Sequence, residues 1–523
     1  MADFTQQFLS TILTREPFFH VKKVGDQFIT TGSPSQHLGH QVTGATARPV
    51  EGTFAQWHWD GRSLSARVDE CGFYPLYYYA TPTECAVSPS IPALLYLGAS
   101  PELDYDALST FFYVGWFVGQ DTPFKAIRAF LPEGSLEWRD GKTRTTGNVP
   151  VGKASNLSRG EGVDGYIELF RTALRKRLPD SEDFSVLLTG GRDTRHQLYE
   201  LCLAGRQPKV GYSIGEYIVA SNEEMAAASA VAEATQIQHV IINQSQSQFA
   251  LEIRNNLATN FCADEHSWLW PLADFLKGKV KILYDGLGGS IWDRGFQLTE
   301  RRLDLCDRER YEELADDLLV KNDIALILSS RMSARCSRAA AIAKVADELR
   351  YHANSPNPID SFLFWTRTRR ESALSSFRVL DASHTVICPF IDRPLVDHLA
   401  SLPGQMMLDH NFHDETIHRA FPQYAHIPFG PKGGPLNLSS QRARQLTWEF
   451  AKFLSATPRS ECISYSYLLP RIGRCLLDSR YSPSILWMGL SSLYILQLEM
   501  LPRQIEQMKR ANTGVSSHHT VGS

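Results

Sequence analysis

The sequence predicts an α/β protein, and three patterns along the chain support this prediction. Residues 1 to about 140 contain short alternating runs of apolar and polar residues separated by turns, which indicates antiparallel strands. From residue 184, short apolar runs alternate with helical patterns, an order typical of a doubly wound parallel sheet. Residues 300–510 have mainly helical patterns, so a helical part is expected to complete the fold.

The first part contains two predicted hairpins, each with an Asp-Gly turn between two strand-like runs. Their runs and turns are 57–59, Asp60-Gly61 and 63–68 for the first, and 135–138, Asp140-Gly141 and 143–145 for the second. Residues 147–162 are rich in Gly, Ser and Lys and only weakly apolar. They are therefore expected to link the first part to the second.

The second part contains four apolar runs that predict buried parallel strands. Its helical pattern begins at Tyr166, and Ser221-x-x-Glu224 is a capping box that predicts another helix start. The predicted strands are 184–188, 210–214, 239–242 and 280–284, and the predicted helices include 195–204 and 221–234. Strands and helices in this order imply a doubly wound sheet.

The composition is that of a globular protein without a strong charge bias. The 523 residues are 43% hydrophobic and 21% charged, with a net charge of −4. This balance excludes a nucleic-acid-binding protein that relies on gross positive charge. The nine cysteines are scattered, without a Cys-x-x-Cys pair, which disfavours a zinc ribbon or a disulfide framework. A reduced, cytoplasmic chain is expected.

No targeting or membrane segment is expected. The first residues lack a basic stretch followed by an apolar run. The most apolar stretch, 484–501, contains Gly489, Gln497 and Glu499. A spanning helix needs ~20 nearly uninterrupted apolar residues, so a buried C-terminal helix is the better interpretation.

The turn Thr189-Gly190-Gly191-Arg192-Asp193-Thr194 connects a predicted strand directly to a predicted helix. Its glycines can adopt positive φ and let the backbone approach a ligand closely. The N-terminus of the helix offers unpaired N–H groups and a partial positive charge, which suits an anion. Asp193 could hold Mg²⁺, and Thr194 could cap the helix or contact phosphate. A tight turn without a ligand is the alternative interpretation.

The same turn resembles the Ser-Gly-Gly-x-Asp-Ser pyrophosphate loop of the ATP pyrophosphatase class, which includes asparagine synthetase, β-lactam synthetase and lasso-peptide cyclases. Four further stretches are similar to that family in the same order. They are Asp69 to Tyr78, Leu103 to Gly134, Asp285 to Gly289, and Cys388 to Asp392 followed by Leu402-Pro403. The similarity covers roughly residues 55–500.

The resemblance implies two domains and a tail. Residues 1–150 would form an Ntn-type amidotransferase α+β domain that is degenerate and without glutaminase activity. Residues 160–510 would form a doubly wound α/β PP-loop synthetase domain with a helical C-terminal part, and residues 511–523 a disordered tail. The family's glutaminase nucleophile is an N-terminal cysteine, but this chain has Ala2 there. Cys71, its first cysteine, is expected to serve packing.

The resemblance also implies ATP and Mg²⁺ as cofactors and assigns the residues that hold them. Asp193 would bind the metal, Leu187 and Ile214 would contact adenine, and Lys432 would act catalytically by neutralising developing phosphate charge. A solvated lysine is the alternative for Lys432. The other nucleotide-binding residues are Thr189, Gly190, Gly191, Thr194, Asp285 and Gly286.

One position departs from the family pattern. The second loop of the relatives ends in an aspartate that shares Mg²⁺ with the aspartate of the pyrophosphate loop. Ser290 stands in its place here, and a hydroxyl is a weaker ligand for a hard cation than a carboxylate. Asp285 is a possible replacement, because the family usually has a neutral serine there.

The implied function is an ATP-dependent, AMP-forming amide ligase of the asparagine synthetase type. A carboxylate would attack the α-phosphorus of ATP, and an amine or ammonia would then displace AMP. The expected partners are a small-molecule or peptide carboxylate and the amine donor, with no nucleic acid and no membrane. Two alternatives stay open: a true aspartate-to-asparagine synthetase that uses ammonia, and a nucleotide-binding scaffold with weak or no turnover.

Four other patterns in the sequence indicate a functional site less strongly. Residues 140–143 match only the end of a Walker A motif and fit a hairpin turn better. His413 and His418 are five residues apart, whereas zinc-binding histidines on one helix face are four apart. Residues 262–266 could line a substrate pocket or begin a helix with surface acids. Residues 367–371 could form a solvated helical face or one that faces an anion.

Overall fold

The structure is a computed structural model, and it describes residues 2–516 except 43–50, 216–221, 244–246, 320–323, 383, 431–439, 479–480 and 482–484. Its first part contains two five-stranded antiparallel sheets, with strand orders β2-β1-β7-β6-β8 and β10-β9-β5-β4-β3. The strands are β1 (Phe19–Val24), β2 (Gln27–Gly32), β3 (Ser35–Gln41), β4 (Gly52–Trp59), β5 (Ser63–Val68), β6 (Tyr77–Ala80), β7 (Glu84–Ser88), β8 (Arg128–Ala129), β9 (Ser135–Arg139) and β10 (Lys142–Thr146), and the helices are α1 (Ala2–Arg15), α2 (Ile91–Leu97) and α3 (Tyr105–Val114).

Both predicted hairpins are confirmed. Strands β4 and β5 pair across Asp60-Gly61, and β9 and β10 pair across Asp140-Gly141. In the first turn, the Asp60 carboxylate accepts the N–H groups of Arg62 and Ser63 at 2.8 and 2.7 Å, which closes the turn.

The second part is built on a parallel sheet with the order β13-β12-β11-β14-β15. Its strands are β11 (Phe184–Leu187), β12 (Val210–Gly215), β13 (Gln238–Asn243), β14 (Ile282–Tyr284) and β15 (Thr385–Ile387). The order reverses between β11 and β14, so the loops that leave these two strands lie beside each other at the switch point of the sheet. The predicted fold class is confirmed, with β15 as a strand that the sequence patterns did not indicate.

Helices make up most of the rest of the second part. They are α4 (Arg159–Arg175), α5 (Asp193–Leu203), α6 (Asn222–Ala234), α7 (Gln248–Ala258), α8 (Trp270–Leu276), α9 (Glu300–Asp307), α10 (Tyr311–Leu318), α11 (Ile324–Ile327), α12 (Ser330–Ser333), α13 (Arg338–Tyr351), α14 (Pro358–Leu363), α15 (Arg393–Ala400), α16 (Phe412–Ala420), α17 (Ser440–Ala456), α18 (Tyr465–Leu477) and α19 (Ile485–Ser516). Two π-helical segments, Phe364–Ser372 and Ser375–Leu380, follow α14. The cap of α6 predicted at Ser221 lies outside the described residues.

The predicted start of α4 and the predicted linker are wrong in one respect. The helix begins at Arg159, not near Tyr166, because Ser158 and Glu161 form a capping box. The Ser158 N–H donates to the Glu161 carboxylate at 2.8 Å, and the Glu161 N–H donates to Ser158 Oγ at 3.3 Å. The Ser-x-x-Glu pattern was present in the sequence and could have located this start.

The apolar C-terminal stretch forms α19, which is the one helix in the described chain long and apolar enough to cross a membrane by length and composition. Its mean hydropathy is 1.3, and 61% of the apolar window is buried inside the protein. It packs against α2, α7 and α17 as a core helix does. The helix continues to Ser516 and so enters the segment predicted as a disordered tail, since no proline follows Ala511 to end it. Residues 517–523 lie outside the described residues.

The Asp69 carboxylate organises the turn that follows β5. Its two oxygens accept backbone N–H groups, each between 3.1 and 3.3 Å, from Phe54, Cys71, Phe73 and Tyr74. The side chain is 2% exposed, and this burial raises the pKa of Asp69 to about 6. The Asp69 motif therefore has a structural role in this chain: it pairs four buried donors.

We predict that Asp69→Ala strongly destabilises the first part. Each buried donor left without a partner costs about 1–3 kcal/mol, so the unfolding transition of this part should fall by several degrees in scanning calorimetry. Asp60→Ala is the matched control, because Asp60 also accepts backbone N–H groups but in an exposed turn. Equal melting profiles for the two variants would contradict the role of Asp69.

Candidate functional site

The loop between β11 and α5 is held by its two threonines. Thr194 Oγ1 accepts the Thr189 N–H at 3.0 Å and lies 3.1 Å from Thr189 Oγ1, which in turn accepts the Gly191 N–H at 3.1 Å. The Thr194 hydroxyl is thus used inside the loop. Arg192 occupies the N-cap of α5, and its side chain makes no capping hydrogen bond to the helix backbone. The first N–H groups of α5 are therefore left for a ligand.

The glycines of this loop serve close packing and do not adopt positive φ, contrary to the expectation from the sequence. A Cβ on Gly190 would lie 2.7 Å from the Glu224 carbonyl oxygen of α6. The Gly190 carbonyl also accepts the Gly430 N–H at 2.7 Å. Gly190 is required because two other segments approach it, which a turn motif alone does not reveal.

Two arginines, Arg192 at the end of the loop and Arg195 in the first turn of α5, hold the segment 427–430 against the loop. Arg192 makes a bidentate ion pair with Asp414 at 2.6 and 2.9 Å, and Arg195 donates to the Ile427 and Pro428 carbonyls. Both guanidinium groups lie over the Phe429 ring, at 4.3 and 4.4 Å from its centroid. Sequence reasoning missed this clamp, because Arg192 fills a variable position of the motif. The predicted catalytic lysine, Lys432, follows this segment and lies outside the described residues.

The loop after β14 meets the first loop at Asp193. A Cβ on Gly286 would lie 2.9 Å from Asp193 Cβ, and one on Gly289 would lie 2.5 Å from Asp193 Oδ1. Ser290, which has a φ of 69°, donates its hydroxyl to Asp193 Oδ2. The structure thus brings together Asp193, Gly286 and Ser290.

Asp285 does not compensate for the missing loop carboxylate. Its carboxylate accepts the Ser376 hydroxyl, and burial raises the pKa of Asp285. Within the described residues, Asp285 belongs to no group of potential metal ligands. The side chain is turned toward the second π-helical segment because that segment supplies its hydrogen-bond donor.

A different set of side chains surrounds Asp193. His413 Nδ1 lies 3.4 Å from Asp193 Oδ1 and 3.0 Å from Asp293 Oδ2. Burial alone would lower the pKa of His413, but the negative charge of the Asp293 carboxylate outweighs this effect and raises the pKa to about 9. Tyr166 donates to Asp293 at 2.5 Å, and His196 Nδ1 lies 3.1 Å from His413 Nε2. His418 lies exposed on another face of α16, so the rejected zinc helix is not formed.

Leu187 and Ile214, the predicted adenine contacts, lie near the ends of β11 and β12. Leu187 is the last residue of β11, and Ile214 is the last but one of β12. The two strands are adjacent and parallel, and both side chains are buried. Their strands point toward the same sheet edge as the Asp193 loop. Residues 216–221, which continue from β12, lie outside the described residues.

Two further predictions concern clusters of charged side chains, whose burial the structure shows. Arg369 and Arg370 are buried and donate to backbone carbonyls of the first part, so the interpretation of 367–371 as a solvated or anion-facing surface is wrong. In the stretch 262–266, Asp264 and Glu265 are exposed while His266 pairs with buried Glu371 at 2.6 Å.

No cysteine of the chain has the environment of a nucleophile. Burial raises the pKa of all nine thiols, whereas a reactive thiolate requires a lowered pKa. Cys71 donates its thiol to the Ile391 carbonyl at 3.6 Å. The expectation that Cys71 serves packing agrees with this geometry.

Residues 36–148 match the family model of a glutamine amidotransferase domain. The first part of the chain is therefore an amidotransferase-type domain, in agreement with the Ntn-type resemblance. A solved structure, glutamine phosphoribosylpyrophosphate amidotransferase from B. subtilis complexed with ADP and GMP, aligns at 10% identity over 55% of this chain and 74% of that one, with a TM-score of 0.18. Similarity at that level carries no weight for function. No curated protein matches.

We predict that Gly289→Ala displaces the Asp193 carboxylate and weakens nucleotide binding in the presence of Mg²⁺. The added Cβ would overlap Asp193 Oδ1 at 2.5 Å, and the loss of about 1.4 kcal/mol of binding free energy is a factor of ten in Kd. Isothermal titration calorimetry should show at least this loss. Gly473→Ala is the matched control, since a Cβ there meets nothing within 4 Å. Equal Kd values for both variants would contradict the role of this contact.

Proposed function

We propose that the chain is an ATP-dependent, AMP-forming amide ligase of the asparagine synthetase type. The observation that carries the proposal is the meeting of the β11 and β14 loops at Asp193, at the switch point of a parallel sheet and at the N-terminus of α5. Open α/β sheets bind their ligands at this position. Helix N–H groups favour an anion there, and a carboxylate beside them suits a cation-bound polyphosphate.

The proposed reaction has two steps, and the protein mainly positions the groups. A substrate carboxylate oxygen attacks the α-phosphorus of ATP and pyrophosphate leaves. The amine then attacks the acyl carbon and AMP leaves. Catalysis rests on orientation and on stabilising the charge that develops on the phosphates. When bound, Mg²⁺ would neutralise part of the pyrophosphate charge. The reaction fits the cytoplasmic location predicted from the sequence.

The proposed roles follow the loop geometry. Asp193 would hold the metal, and Thr189, Gly190, Gly191 and Thr194 would form the pyrophosphate loop. The Thr194 hydroxyl already accepts a hydrogen bond within the loop. The backbone N–H of Thr194 is therefore the group proposed to bind phosphate. Leu187 and Ile214 would contact adenine, and Asp285 and Gly286 would line the nucleotide from the second loop.

Lys432 is proposed as the catalytic lysine because the resemblance implies this role and because a residue close to it in sequence contacts the pyrophosphate loop. Gly430, two residues earlier, donates to the Gly190 carbonyl of the pyrophosphate loop at 2.7 Å. Two residues of chain span at most about 7 Å, and we propose that Lys432 contacts the phosphates. Its proposed role is to neutralise negative charge in the transition state.

The amidotransferase-type domain is proposed to lack glutaminase activity. The cysteine nucleophile that this family uses for glutamine hydrolysis is replaced by Ala2 in this chain, and burial raises the pKa of thiols such as Cys71, Cys262 and Cys388. The amine would then come from free ammonia or from an amino group of a substrate, and the other substrate would be a small-molecule or peptide carboxylate.

One observation favours a second candidate, a nucleotide-binding scaffold with weak turnover. Ser290 replaces the aspartate that the relatives carry, and its hydroxyl donates to the remaining loop carboxylate. This arrangement holds Asp193 in place without adding a second negative charge at that position.

We predict that the wild-type protein exchanges labelled pyrophosphate into ATP when supplied with the correct carboxylate from a panel. Asp193→Ala should reduce the exchange rate by roughly 10²–10³, since it removes the group proposed to hold the metal. Asp183→Ala is the matched control, because this half-exposed aspartate lies at the opposite end of β11.

Two outcomes would count against the ligase. If Asp193→Ala exchanges pyrophosphate as fast as Asp183→Ala, the site is misassigned. If the wild-type protein binds ATP but exchanges pyrophosphate with no carboxylate, the scaffold function replaces the ligase.

We predict that the purified protein releases no more glutamate from glutamine than a heat-inactivated sample. The reason is that Ala2 offers no nucleophile at the position where the family has its cysteine. A coupled glutamate dehydrogenase assay measures the release. Glutamate production that disappears in Cys71→Ala would show that this thiol is a nucleophile after all.

A further inference from the structure

Asp293 lies close to the position left without a carboxylate by Ser290. It follows Ser290 by three residues in the same loop. Whereas Ser290 only donates a hydrogen bond to Asp193, Asp293 brings a second negative charge to the cluster. The loop therefore supplies its carboxylate three residues later than the family pattern does.

Asp193, Asp293 and His413 form a compact set of potential ligands. One ligand atom from each lies within 4.8 Å of the other two. The three residues come from the start of α5, the loop after β14 and the second position of α16. Two carboxylates and one imidazole are a common donor set for a divalent cation.

Two buried oxygens of this set are unsatisfied. Among the residues that the structure describes, Asp193 Oδ1 and Asp293 Oδ1 accept no hydrogen bond of good geometry. The Asp293 side chain is only 1% exposed, so water does not solvate it freely. Buried carboxylate oxygens without partners are costly, and a bound cation would satisfy them.

The surrounding residues orient the set. Tyr166 donates to Asp293 Oδ2 at 2.5 Å, and His413 Nε2 lies 3.1 Å from His196 Nδ1. The His413 Nε2–H can donate a hydrogen bond to His196 Nδ1, so that His413 Nδ1 faces the two carboxylates. A bound cation would take the place of the proton that the carboxylates otherwise favour on Nδ1. Hydrogen bonds of this kind fix the tautomer and direction of a metal-binding histidine.

We propose that Asp193, Asp293 and His413 together hold the divalent cation, with Asp293 in place of the absent loop carboxylate. The inference rests on the proposed function, because it concerns the cation that would accompany ATP. An imidazole nitrogen suits Mn²⁺ better than Mg²⁺, which strongly prefers oxygen ligands. The site is therefore expected to bind Mn²⁺ more tightly than Mg²⁺.

The test measures Mn²⁺ binding to the full-length protein by electron paramagnetic resonance, with and without a non-hydrolysable ATP analogue, and Mg²⁺ binding by competition. Asp293→Asn should raise the Kd for Mn²⁺ at least tenfold. Asp360→Asn is the matched control, because Asp360 is equally buried but belongs to no group of potential ligands in the described chain. Circular dichroism and melting temperature verify that each variant is folded.

His413→Gln removes another ligand of the set and keeps the inference testable if Asp293→Asn folds poorly, since it should also raise the Kd for Mn²⁺ at least tenfold. A further variant tests whether the position of the carboxylate can be restored. Ser290→Asp, combined with Asp293→Asn, restores a carboxylate at the family position, and aspartate tolerates the φ of 69° found there. The double variant should recover Mn²⁺ binding.

The inference is overturned if folded Asp293→Asn binds Mn²⁺ like the wild type, if the double variant gains nothing, or if the wild type binds Mg²⁺ as tightly as Mn²⁺. If the ATP analogue still binds in those cases, only the inference fails. If the wild type binds neither the analogue nor Mn²⁺, the proposed function fails with it.

Discussion

The candidate site depends on how closely the β14 loop approaches the Asp193 carboxylate. Gly286 and Gly289 lie so near Asp193 that a methyl group at either position would overlap it. The Ser290 hydroxyl then holds one carboxylate oxygen, while the other faces His413. The Asp193 side chain therefore connects the loops that follow β11 and β14, the N-terminus of α5 and helix α16. Any ligand that uses the switch point of the sheet must be accommodated around it.

Much of the fold could be predicted from the sequence, because local patterns determine it. The Asp-Gly hairpins and the apolar strands follow from turn chemistry and periodicity. Strand β15 (Thr385–Ile387) is three residues long and carries little pattern of its own. The start of α4 was misplaced, because the weakly apolar composition of 147–162 outweighed the Ser158 capping signal.

The residues around Asp193 were harder to predict, because they are distant in sequence. His413 reaches the site from a helix that begins at Phe412, and Asp293 lies outside the aligned loop pattern. No sequence motif around either residue indicates that it lies close to Asp193. The buried arginines of 367–371 were misjudged for the same reason. Their acceptors are carbonyl groups in the first part, which a helical charge pattern cannot show.

These arginines also give the amidotransferase-type domain a physical role that needs no activated thiol. Arg369 and Arg370 donate to the carbonyls of Phe130 and Asp121 from the first π-helical segment, and burial lowers the pKa of Arg369 to about 9. Separating the two parts would leave these buried donors without acceptors. The next π-helical segment supplies the Ser376 hydroxyl that donates to Asp285 in the loop after β14. The first domain therefore supports this loop through two consecutive π-helical segments, a structural role that is independent of any glutamine hydrolysis.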